Sequence, residues 1–241
     1  MPSTHAQSST PSIAPASDRA LLISFGETFS EECHLKVRAL VHALKERKDL
    51  SLREIQPAYT SVLLTVDLLR TDLHALTAAL KPILAKLEQQ KDTPIALPLH
   101  RVEVPVCYEA PLAPDLADVA KHTGLSTAEV IHLHSATEYT VCFFGFMPGF
   151  AYWSGLPPQI AVPRLAAPRL KVPAGSVAIG GAQTGIYPLE TPGGWRIIGR
   201  TPMTLFDSAR RPPCVLELGD RVRIKAISFD EFKALGGIWA S

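Results

Sequence analysis

Over residues 139–206, five cations (Arg164, Arg169, Lys171, Arg196 and Arg200) stand against one acid, Glu190. That is a local charge of +4 in a chain whose formal net charge is +1. Guanidinium groups pair bidentately with carboxylate or phosphate. The same segment holds 10 of the 15 glycines, and glycine lets backbone approach a ligand closely. Together these features point to a site for an anion. Solvated loop arginines are the plain alternative, since isolated surface charges are common and contribute little.

The pattern Arg169-Leu170-Lys171-Val172 alternates. As a strand it sets Arg169 and Lys171 on one face, where they repel unless an acid or a bound anion lies between them. Gly180 to Gly185 is a glycine-rich loop that carries Gln183 and Thr184. Glu190 sits beside the tight turn Pro192-Gly193-Gly194, and Gly145 to Phe150 is a rigid turn with apolar anchors. The sequence contains no G-x-x-x-x-G-K-[ST], no G-x-G-x-x-G and no G-x-S-x-G. His132 and His134 lack the H-E-x-x-H spacing or a neighbouring cysteine, so no metal site is expected. Cys142, inside an apolar run, reads as a buried filler rather than a nucleophile.

These groups must be positioned by a fold of 241 residues, enough for one large or two small domains. The near-neutral balance of 24 basic and 23 acidic residues excludes a chain-wide basic footprint for nucleic acid. No apolar run approaches the ~18 residues of a membrane span. Four scattered cysteines and a start without a secretory pattern point to the cytoplasm.

Residues 1–18, rich in Ser, Thr, Pro and Ala, read as a disordered leader. Leu21–Phe25 reads as a strand, and Val37, Leu40, Val41 and Leu44 form a helical stripe with Ser30 at its start. Two strands follow at Leu52–Pro57 and Ser61–Leu69. A second helical stripe runs from Leu73 to Leu87, with Pro82 expected to kink or split it. With a closing strand drawn from Leu97–Val106, the order β-α-β-β-α-β is a ferredoxin-like unit over residues 19–98. Residues 92–100 read as a linker. Ser126 and Glu129 form a capping box for a helix at Thr127–His134. Beyond Tyr139, short apolar pieces separated by many turns predict a closed barrel or sandwich within residues 99–241.

The motif blocks also carry a resemblance. Gly145-Phe146-x-Pro148-Gly149-Phe150, Pro168 to Val177, Gln183-Thr184-Gly185-x-Tyr187-Pro188, Glu190 to Trp195 and Gly199-Arg200-Thr201-Pro202 follow in this order. They resemble the allophanate hydrolase subunit 1 family (carboxyltransferase subdomain C and D), which includes the B-type subunit of 5-oxoprolinase and the kinase inhibitor KipI. The resemblance implies an α+β chain, a small α/β domain followed by a cyclophilin-like β-barrel. It implies one component of an ATP-dependent 5-oxoprolinase, inactive alone, with ATP and Mg as cofactors. The implied partners are an allophanate hydrolase subunit 2 homologue (the C-type subunit of 5-oxoprolinase) and the A-type subunit of 5-oxoprolinase. The alternatives it leaves open are a KipI-like inhibitor of a sensor histidine kinase and a component of an amide or urea carboxyltransferase.

By motif position the resemblance assigns His134, Glu190, Arg169 and Lys171 to catalysis. It assigns Ser176, Gln183, Thr184, Tyr187, Arg200 and Thr201 to substrate binding. Arg169, Lys171 and Arg200 would stabilise an acyl-phosphate-like intermediate, and Glu190 or His134 would move a proton. Trp153 stands where an aliphatic residue is expected, which places a bulky ring at the pocket rim.

Overall fold

The computed structural model describes residues 10–89 and 100–238. The chain divides into two compact units, Met1–Pro98 and Leu99–Ser241.

In the first unit, β1 (Ser12–Ser17), β2 (Ala20–Ser24), β3 (Leu52–Pro57) and β4 (Ser61–Val66) form an antiparallel sheet in the order β1-β2-β4-β3. Helices α1 (Glu31–Lys45) and α2 (Leu73–Gln89) pack together, and α1 lies on β3 and β4. The alternation of β4 buries Val62, Leu64 and Val66 on the side of α1, where Val37, Leu40 and Leu44 are buried, and α2 buries Leu76, Leu80 and Leu84. The Ser30 side chain caps α1 by accepting from the Cys33 amide.

Three local expectations are corrected. Residues 12–17, read as part of a disordered leader, form a strand. They pair with β2 through backbone bonds while their side chains stay mostly exposed, so composition gave no sign of it. Pro15 is tolerated because β1 is an edge strand. Residues 1–9 of the expected leader lie outside the described residues, as does most of the expected linker. The place beside β2, where a strand from residues 97–106 was expected, is taken by β1. Finally, of the kink or split expected at Pro82, the split does not occur: α2 runs as one helix through it. The proline and Ala78, whose carbonyl loses its partner, are both exposed, so water can satisfy it.

The second unit is a closed barrel with strand order β10-β7-β6-β13-β5-β12-β9. Its strands are β5 (Arg101–Cys107), β6 (Glu138–Phe144), β7 (Ala151–Ser154), β9 (Ser176–Gly180), β10 (Gln183–Ile186), β12 (Arg196–Arg200) and β13 (Arg221–Ile227). The β5–β13 pair is parallel and the other named pairs are antiparallel. A separate two-stranded ribbon joins β8 (Arg169–Val172) to β11 (Thr191–Gly193). Helices α3 (Leu116–Thr123), α4 (Thr127–Ala136) and α5 (Phe229–Ala234) complete the unit. The capping box of Ser126 and Glu129 starts α4 as the sequence predicts. Valines, isoleucines, Tyr139 and Trp153 fill the barrel. Trp153 is fully buried there, so it does not stand at a pocket rim.

Candidate functional site

The structure sorts the motif residues into three places. The first is the barrel interior. His134 is fully buried at the last turn of α4. Its Nδ1 lies 2.7 Å from the Tyr108 hydroxyl and its Nε2 lies 3.0 Å from Thr184 Oγ1. Thr184 Oγ1 donates to the Ala178 carbonyl at 3.0 Å, so it accepts from His134. That fixes the imidazole as the Nε2–H tautomer with Nδ1 accepting from Tyr108. Every member of this hydrogen-bonded series is satisfied. Burial alone lowers the His134 pKa from 6.5 to about 3, so the ring is neutral at physiological pH.

The second place is the turn at Pro173–Gly175, at one end of the barrel. Ser176 Oγ donates to the Pro173 carbonyl at 2.7 Å. The Gly175 amide donates to the Tyr187 carbonyl, and the Thr201 amide donates to the Gly175 carbonyl. Arg200 Nε donates to the Ala174 carbonyl at 2.9 Å, and partial burial lowers its pKa. Ser176 and Thr201 are buried. These side chains hold the turn. Gln183 opens β10 and pairs in register with Gly180.

The third place is a cleft of about 270 Å³ beside the ribbon. Phe146, Phe150, Tyr152, Arg164, Tyr187 and Trp195 line it, with the backbone of Pro192–Gly194. With Pro168, which also lines it, four motif blocks up to some fifty residues apart in sequence meet on one surface. Phe150 is the floor, with ring centroids 4.9 Å from Tyr152, 5.3 Å from Tyr187 and 5.5 Å from Trp195. Two glycines make the packing possible. A Cβ at Gly180 would stand 2.5 Å from the Trp195 indole, and one at Gly193 would stand 2.6 Å from the Tyr187 hydroxyl. The Arg164 guanidinium lies 5.8 Å from the Trp195 ring centroid. Burial raises the Tyr152 and Tyr187 phenol pKa values, and the positive charge of Arg164 pulls both partly back.

The charge excess is smaller in space than in sequence. Arg169 Nη2 donates to Asp115 at 2.5 Å, and the same carboxylate accepts the Ile197 amide at 2.7 Å. Arg196 pairs with Asp118, one helical turn along α3, and donates to the Pro163 carbonyl. Lys171 pairs with Glu190 across the ribbon at 3.0 Å, both exposed. Counting Asp115 and Asp118, five cations meet three acids. Arg169 and Lys171 do not share an anion; each has its own carboxylate. Arg164 has no carboxylate partner among the described residues. Its signal was its place among the five cations; the aromatic residues gave none beyond their motif blocks.

With this geometry in hand, the comparisons with known proteins are decisive about ancestry. The family model described as carboxyltransferase domain, subdomain C and D, matches residues 11–216. The chain belongs to this family. It is 37% identical over 227 residues to the 5-oxoprolinase B subunit of Bacillus subtilis (strain 168), covering 90% of this chain and 93% of that protein. It is 58% identical over 122 residues to the 5-oxoprolinase B subunit of Escherichia coli O157:H7, covering 51% of this chain and 56% of that one. Among solved structures, TTHA0988 superposes with a TM-score of 0.75 at 36% identity, covering 87% of this chain. This carboxyltransferase-family chain spans 40% of the TTHA0988 chain. The Kluyveromyces lactis urea amidolyase, at 19% identity and a TM-score of 0.72, shares the fold; this chain covers 16% of it. The α+β class with a closed barrel, expected from the resemblance, is observed.

Proposed function

We propose that the chain is the B-type component of an ATP-dependent system that opens the lactam of 5-oxoproline to glutamate. The observation that carries this reading is the 37% identity spanning 93% of the Bacillus subtilis 5-oxoprolinase B subunit. The motif blocks that form the aromatic cleft lie within the matched family segment. The chain works with C-type and A-type partner subunits, and is inactive alone. It acts in the cytoplasm; among the described residues no helix is long and apolar enough to cross a membrane.

The cleft does not fit ATP with Mg. A triphosphate needs several uncommitted cations, whereas Arg169 and Lys171 already hold carboxylates and Arg164 is the one cation among the described residues lining the cleft. We therefore place the nucleotide on a partner or at a shared surface and derive no step through it. On this chain, Arg169 positions α3 against β12 through Asp115, and Arg200 stiffens the turn at Ala174. His134, enclosed and fully bonded, serves the barrel rather than proton transfer. Glu190, exposed and paired with Lys171, is the carboxylate placed to exchange a proton with solvent or substrate.

The test is ATP cleavage by the chain co-purified with its C-type and A-type partners. Stimulation by 5-oxoproline, with stoichiometric glutamate, is the expected result. A stable complex that ignores 5-oxoproline would overturn the substrate, and urea-like amides would be examined next. Absence of any complex would favour a kinase-inhibitor role.

A further inference from the structure

We infer that the aromatic cleft is a binding site for a small ring-bearing carboxylate, its ring held against aromatic faces and its charge on Arg164. In choosing the lactam acid as probe, the inference rests on the function proposed above. The geometry stands apart from that choice.

Size comes first. At about 270 Å³ the cleft falls just below the ~300 Å³ where pockets for drug-sized ligands begin. It suits one small ring. The lining comes next. Tyr152 and Trp195 meet edge to face at 5.8 Å, and Tyr187 meets the Phe150 floor edge to face at 5.3 Å. Aromatic faces of this kind take a flat or puckered ring. Charge follows. Arg164 is exposed, free of any carboxylate among the described residues, and close enough to both phenols to act on their pKa values. One guanidinium thus borders the same space as the Tyr152 phenol, while the Tyr187 hydroxyl is engaged by the Trp195 backbone; a single cation matches one carboxylate and not a phosphate chain.

Backbone conformation supplies the independent observation. Phe146 has φ of +68°, a region that bulky residues avoid. It is nevertheless 61% exposed, with its ring set against Phe150 and Tyr187 at the cleft mouth. Strain of this kind persists when the surroundings hold it, and it collects at ligand sites. Here it holds an aromatic edge over the opening that burial does not require.

The experiment is a nuclear magnetic resonance titration of the full chain. The Trp195 indole N–H is assigned by Trp195→Phe. The probes are 5-oxoproline, 2-pyrrolidone (the ring without the carboxylate), glutamate (the carboxylate without the ring) and ATP. The expected result is saturable movement of the Trp195 and Phe146 signals with 5-oxoproline, and binding at least tenfold weaker for the other three. Arg164→Gln should weaken 5-oxoproline roughly tenfold to a hundredfold without disturbing the rest of the spectrum. Arg164→Lys should restore part of the loss. Equal binding of 2-pyrrolidone, an unaffected Arg164→Gln, or no cleft response in either the free chain or the complex would overturn the inference. The two proposals fail separately. Cleft binding without glutamate formation removes the reaction and keeps the site. Glutamate formation with an unchanged KM in Arg164→Gln removes the site and keeps the reaction.

Discussion

Strand β10 and the two residues after it serve two regions that use polar chemistry in opposite ways. Thr184 turns into the barrel and closes a hydrogen-bonded series from Tyr108 through His134 to the Ala178 carbonyl. Tyr187, three residues on, faces the cleft with Arg164, Phe146 and Trp195. Along that series each donor has an acceptor and the titratable ring is held neutral. In the cleft a cation lacks a carboxylate among the described residues and an aromatic residue sits in strained backbone. Both regions draw on the block from Gln183 to Pro188, so motif membership does not separate support from recognition. Satisfaction does: a buried polar group with all its bonds made specifies a fold, and an exposed one with bonds to spare can bind.

The largest effect that can break this contrast is expected at His134. Removing the ring in His134→Ala leaves the Tyr108 hydroxyl without its acceptor and opens a cavity in the barrel. A loss of about 3–5 kcal/mol in urea unfolding is expected. The pH dependence has a definite sign. The folded pKa is about 3 against 6.5 unfolded, so between those values the unfolded chain holds the extra proton. This contribution is full above pH 6.5 and is lost as the pH falls toward 3, with a slope approaching ~1.4 kcal/mol per pH unit. The Tyr108 and Tyr139 phenols are shifted upward by burial and do not titrate there. In His134→Ala the stability curve should flatten across that window. A variant that kept its stability and lost turnover would return His134 to the reacting groups.

A smaller effect is expected at Arg169, which stands between the two regions. Arg169→Ala leaves the buried Asp115 carboxylate with the Ile197 amide and without its cation. Breaking a fully buried pair costs about 3–5 kcal/mol. The Arg169 side chain is 31% exposed against 9% for Asp115, and solvent screening lowers the expected loss to about 1–3 kcal/mol. Adding Asp115→Asn should recover part of it, because the pair is then removed together. Full stability with abolished turnover in Arg169→Ala would mean that this guanidinium serves the substrate rather than α3.

Much of the fold was legible because periodicity and caps act locally. The stripe of Val37, Leu40, Val41 and Leu44, the Ser30 cap and the alternation of β4 each appear where the pattern puts them. β1 was not legible, since its pairing is backbone chemistry and its side chains stay exposed. The site was legible as a set of segments and not as a set of residues. Asp115 and Asp118 lie about fifty residues and more before the cations they pair with, so the apparent charge excess was partly a product of the window chosen. Arg164 and the aromatic lining became visible once the barrel had folded those segments together.

The smallest stability effect is expected where the contrast is sharpest. Phe146→Gly removes the ring at the cleft mouth and also removes the side chain that disfavours φ of +68°. The relief is about 1–2 kcal/mol for a non-glycine residue in this region. Against it stand one aromatic contact of about 0.5–1.5 kcal/mol and modest burial, because the residue is 61% exposed. The two nearly cancel, so thermal unfolding should give a stability within about 1 kcal/mol of the parent. A buried phenylalanine truncated in the same way would cost about 3–5 kcal/mol. Ring-bearing carboxylates should nevertheless bind more weakly and KM should rise, because the ring closes the cleft rather than filling the core. A large loss of stability with unchanged binding would make Phe146 a core staple, and the distinction between the two regions would then fail at the residue that shows it most clearly.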